Sequence, residues 1–189
     1  APPLPAAAPA ERPADTESPQ GDFPAAYRIG LALGADSELW SGDVTGAVGV
    51  QAGVRLAASR RWSVLLAAGD LWATSAPQSV QAQTLRVLAG VDYDLIPAVR
   101  FGLAADGRVM LARQGSSSLS NAATAGLLAT ARYVARLGSL RLSAGPQAEL
   151  LLRPLLVDVS GAEVFRVPTA LLGLSLDATI GLGEPETSP

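Results

Sequence analysis

The sequence predicts an all-β chain: an eight-stranded antiparallel up-and-down transmembrane β-barrel behind a disordered Pro/Ala-rich N-terminal segment. Three observations carry that expectation. Mean hydropathy is +0.28 over 189 residues that are 49% hydrophobic, yet Arg, Asp or Glu interrupts every apolar run before the roughly 18 residues a membrane helix needs. The apolar residues recur at every second position, the period of a strand. Long and short connections alternate along the chain, as in a barrel whose two ends differ.

Residues 1–22 hold Leu4 as their one sizeable apolar side chain before Asp22. Such a segment buries too little surface to offset the entropy of ordering, and it reads as the leader of a mature chain after signal-peptide removal, or as a tether to a partner. The barrel is expected over 23–183, and a polar tail over 184–189. The first two strands alternate Tyr27, Ile29, Leu31 and Leu33, then Val48, Val50, Ala52, Val54 and Leu56, against small or polar neighbours. Further strands are expected at about 62–72, 83–94, 99–112, 123–134 and 140–152. The last alternates Leu172, Leu174, Leu176, Ala178, Ile180 and Leu182 with Gly173, Ser175, Asp177, Thr179 and Gly181. Long polar connections fall at 37–46, 74–82, 114–122 and 153–169, and short ones at 59–61, 95–98 and 135–139. Pro146, which has no N–H for a ladder, is expected to mark a bulge.

Period two does not say which face is inside. In-strand glycines such as Gly34, Gly49, Gly102 and Gly145 share the polar phase, which makes room within a narrow closed barrel. The charges follow the same phase: Arg28, Arg55, Arg86, Asp92, Asp94, Arg100, Asp106, Arg108, Arg132, Arg141, Glu149 and Asp177 are expected to form a lumen charge network. Asp70 departs from it, two residues before Trp72, where an interfacial position or a bulge would tolerate it. Tyr27, Trp62, Tyr93, Phe101 and Tyr133 gather at the short-turn end in the apolar phase, as an aromatic girdle would.

These features resemble the small eight-stranded outer-membrane barrels of OmpX and OmpA type, in architecture alone and over residues 26–182. The resemblance implies bacterial outer-membrane localisation, with termini and short turns in the periplasm and long loops outside. It also implies a closing aromatic on the last strand, which this chain lacks.

With no Cys and no His, the chain has no disulfide, no Cys/His metal site and no imidazole-based nucleophile system. Catalytic residues, cofactors and metals are therefore expected to be none. The expected role is structural or surface-binding, with outer-membrane lipid and an extracellular or periplasmic protein as partners. No nucleic-acid partner is expected, since the near-neutral barrel has no basic excess to bind one. A possible partner-binding loop holds Val157, Val159, Val164, Phe165 and Val167, in a hairpin around Ser160 and Gly161 that either protrudes or plugs the mouth. Two alternatives stand beside this reading: a soluble lipocalin-like barrel with the Leu/Val face around an apolar ligand, and an outer-membrane subunit of a multi-protein envelope machine.

Overall fold

The computed structural model describes residues 29–39, 46–75, 80–114, 117–159 and 162–182. Ten strands run in chain order: β1 Ile29–Leu39, β2 Ala47–Ala57, β3 Trp62–Ser75, β4 Val80–Ile96, β5 Val99–Gln114, β6 Ser117–Leu137, β7 Leu140–Leu151, β8 Leu155–Val159, β9 Ala162–Val167 and β10 Ala170–Leu182. Eight close into an antiparallel barrel ordered β1-β10-β7-β6-β5-β4-β3-β2, and β8 and β9 pair as a separate hairpin. No helix among the described residues is long and apolar enough to cross a membrane.

The registers fix the barrel's shape. Crossing the ladders from Ile29 through Leu56, Val64, Val91, Leu103, Ala129, Ala148 and Leu172 returns to β1 at Leu39. The ring thus closes ten residues further along its first strand, which sets a strand tilt of about 40° and a radius of about 8 Å.

Several strands outrun their expected spans. β3 to β6 extend through most of what the sequence suggested were the second and third long connections, so β6 spans 21 residues and begins at Ser117. Pairing continues there because it satisfies backbone groups whether or not the side chains are apolar. The third short turn shrinks to Gly138 and Ser139 between the paired Leu137 and Leu140. Gly138 takes a positive φ of 62°, the conformation a two-residue hairpin turn demands.

Pro146 does not create a bulge. The β7–β10 ladder runs unbroken through Leu174 and Pro146, and β6–β7 keeps its register while skipping the partners of Ala131 and Arg132. The strand thus accommodates the missing N–H by opening the ladder locally, without inserting a residue.

The Leu/Val face points outward. Leu33, Val48, Leu127, Leu150, Leu172 and Leu174 are exposed, while Arg55, Arg86, Arg108 and Asp106 are at most 2% exposed. This overturns the lipocalin-like alternative, whose apolar face would line the cavity. The inversion follows from the glycines: a Cβ on Gly34 would lie 2.5 Å from Asp177 Oδ1, and one on Gly102 would lie 2.5 Å from Thr130 Oγ1. Glycine at these positions leaves room inside the barrel for the polar side chains of the adjacent strands.

Candidate functional site

The lumen is built from the inward phase of all eight barrel strands, and it is layered. Towards the short turns, Arg55 pairs with Asp92, and Arg100 grips Asp94 with Nε at 2.6 Å and Nη2 at 3.1 Å. Arg136 lies 3.6 Å from the same Asp94. Above them Arg132 pairs with Asp177 at 2.8 Å, and Gln51 Nε2 donates to the other oxygen of Asp177 at 3.0 Å.

The next layer is acid-rich. Arg108 donates to both oxygens of Glu38 at 2.8 and 2.6 Å, to Asp106 at 2.7 Å, and to Glu149. Arg86 reaches Asp106 at 2.8 Å, Asp36 and Glu38 at 3.5 Å, and Glu149 at 3.7 Å. Four carboxylates therefore share two guanidiniums, and cross-strand partners Arg86 and Arg108 are held together by the anions between them.

Above this layer the interior turns apolar. Leu71, Val80, Met110, Leu151 and Leu171 form a buried cluster with Leu155 and Val167, the base of the β8–β9 hairpin. A second inward apolar cluster, Leu65, Leu88 and Leu128 with Ala32, Ala67 and Ala104, fills mid-barrel. The void beside it measures about 10 Å³ and is lined by Asp92, Thr130 and Arg132 among others. That is room for about one water.

Most of the expected charge network lies in this lumen. Arg55, Arg86, Asp92, Asp94, Arg100, Asp106, Arg132, Glu149 and Asp177 are buried inside, and Arg141 is partly buried there. Arg28 and Tyr27 lie outside the described residues. Trp62, Phe101 and Tyr133 are exposed on the outer wall, and the Tyr93 ring sits 4.8 Å from that of Trp62. Trp72 faces outward ten residues along β3 from Trp62, about 25 Å up the axis at this tilt, which matches the apolar band of a membrane barrel. Beside it Asp70 accepts a hydrogen bond from Gln83 Nε2 at 2.5 Å in an unshifted ladder. It therefore occupies the boundary position rather than a bulge.

Val167 departs from its expected role. It is 1% exposed within the apolar cluster, so it anchors the hairpin and is not open to a partner. The side chains of Val157, Val159, Val164 and Phe165 lie outside the described residues. Conversely, Asp36, Glu38 and Arg136 join the lumen although the sequence reading did not include them. Their signal was present: Asp36 and Glu38 continue the inward phase of Gly30, Ala32 and Gly34, and Arg136 continues that of Arg132.

A closed ring of eight antiparallel strands has counterparts among solved structures. Neisserial surface protein A matches with a TM-score of 0.55 and 14% identity, over 82% of this chain and 97% of that one. The two share a fold. A major outer membrane protein of Thermus thermophilus (TM-score 0.48, 16% identity, 80% and 98% covered) and the attachment invasion locus protein Ail of Yersinia pestis (0.47, 13%, 80% and 95%) are also similar. No protein-family model and no curated protein matches the chain.

Among the described residues, no group of three or more acids could hold a metal ion. The lumen carboxylates instead face guanidiniums, an arrangement that fills space and locks strands together.

Proposed function

We propose that the chain is an integral outer-membrane β-barrel with a sealed lumen and a non-catalytic, structural or surface-binding role. The observation that carries this reading is the inversion of the barrel: large aliphatic side chains cover the outer wall while buried Arg, Asp and Glu fill the axis. A wall of that kind is stable against lipid tails and prone to aggregation in water. Girdle residues Trp62, Phe101 and Tyr133 at one boundary and Trp72 at the other suit headgroup depth. The short turns and both ends of the barrel chain share one side, assigned to the periplasm, and the β8–β9 hairpin is assigned to the cell surface. Catalysis is unsupported, because the buried carboxylates are engaged with guanidiniums beneath an apolar cap. Either a structural role or binding through the upper strands fits this frame.

The test is heat-modifiable gel migration of the chain extracted by detergent from the envelope fraction. A faster-migrating unheated band supports the reading. Recovery as a detergent-free soluble monomer contradicts it.

A further inference from the structure

We propose that the outer wall at the Trp72 boundary seats the neutral sugar headgroup of a glycolipid, held by Trp72, Gln81, Gln83 and Arg113. The inference rests on the membrane reading above and deepens it. A recess of about 300 Å³ is lined there by Trp72, Gln81, Gln83, Leu111 and Arg113, with Ala73 and Ala82, a volume at the lower end of those that hold small ligands. The registers make it a platform of two rows. Trp72, Gln83 and Leu111 stand abreast on β3, β4 and β5, and Gln81 and Arg113 stand abreast in the next row, away from the short turns. Adjacent strands are about 4.8 Å apart and same-face rows about 7 Å apart, so the platform has the footprint of about one sugar ring.

The residue types fit a sugar better than an ion. A pyranose carries an apolar C–H face and a rim of hydroxyls that both donate and accept. The Trp72 indole, 44% exposed, offers a flat apolar surface. Gln amides donate and accept at once, and the Arg113 guanidinium supplies further donors. Asp70 holds Gln83 by its amide nitrogen at 2.5 Å, which fixes the side chain and leaves the amide oxygen to accept from a hydroxyl. Arg113 is the one charged residue of the lining, and the Asp70 carboxylate beside Gln83 opposes it, so the recess has no cationic excess to select an anion. Its height selects the lipid-linked form. Trp72 marks the edge of the apolar band, and exposed Leu85 and Val109 continue the wall towards mid-membrane. They offer acyl chains a surface that a soluble sugar would leave uncovered.

The test follows Trp72 emission of the full W40F/W62F chain in phosphatidylcholine nanodiscs that carry increasing fractions of monoglucosyl diacylglycerol. A saturable change is expected. Q81A should raise the half-saturating fraction about fivefold, the contribution of one hydrogen bond, and Q81A/R113Q should raise it by an order of magnitude or more. Both variants change exposed side chains, so folding is not at issue. A change that is absent or never saturates, or one that neither variant moves, overturns the site. The same change with phosphatidylglycerol overturns the sugar in favour of a charged headgroup, and saturation by methyl glucoside alone overturns the lipid-linked form in favour of a soluble sugar. Heat-modifiable migration of the same samples separates the two claims: a chain that never inserts overturns the membrane reading, whereas an inserted barrel without saturation overturns the site alone.

Discussion

Arg108→Met should be among the most destabilising single changes in the barrel. The side chain of Arg108 is fully buried and serves Glu38, Asp106 and Glu149 at once. Its removal strands three carboxylates where water does not reach. Arg86 compensates in part, since it is 2.8 Å from Asp106, but it stands 3.5 Å from Glu38 and 3.7 Å from Glu149. Breaking a buried ion pair from one side costs about 3–5 kcal/mol, whereas neutralising the whole cluster is often close to neutral. R108M should therefore lose about 3–5 kcal/mol, and R108M/E38Q/E149Q should recover most of that loss. The assay is urea unfolding of the barrel in phosphatidylcholine vesicles, followed by tryptophan fluorescence and gel mobility. A single variant within about 1 kcal/mol of the parent, or a triple variant no better than the single, would refute a lumen held by mutual charge compensation.

Four further outcomes follow from the same structure. Leu176→Arg, facing outward mid-wall, should cost about 2–4 kcal/mol in vesicles, while Leu182→Arg at the short-turn boundary should cost at most about 1; the same unfolding series measures both. Gly145→Val should abolish heat-modifiable folding, because a Cβ there meets the backbone of Ala131 and Arg132 on β6, which cannot swing aside as a side chain can. Leu155→Ala should loosen the hairpin from the mouth at a cost of about 2–5 kcal/mol, seen as faster amide exchange in β8 and β9 with the barrel strands unchanged. Planar-bilayer recordings should show no stable porin-sized channel, given the salt-bridged layers and the apolar cap.

Alternation of residue types was enough to read the closed barrel and the inward phase of most of its buried charges, because every second side chain of a strand shares a face. It was a poorer guide to strand ends. Asp36 and Glu38 fall in a polar stretch that looks like a loop by composition, yet they complete the Arg86–Arg108 cluster by continuing β1. The apolar cap was hidden for a different reason. Leu71, Met110, Leu151 and Leu171 occupy the inward phase, and a rule that sends polar residues inward has no place for them. A filled lumen buries whatever faces it, so apolar side chains pack there as readily as ion pairs do. Val167 was obscured in the same way, since a hydrophobic hairpin looks like a docking surface until the cluster that receives its base is seen.

The central claim is that the Leu/Val face meets lipid. Its most direct test places a tryptophan at Leu174 in a background where Trp40, Trp62 and Trp72 are phenylalanine, and refolds the chain into vesicles with lipids brominated at defined depths. Strong quenching by mid-chain bromines, with little quenching by aqueous acrylamide, is the expected result. Acrylamide quenching without any bromolipid effect would contradict the account.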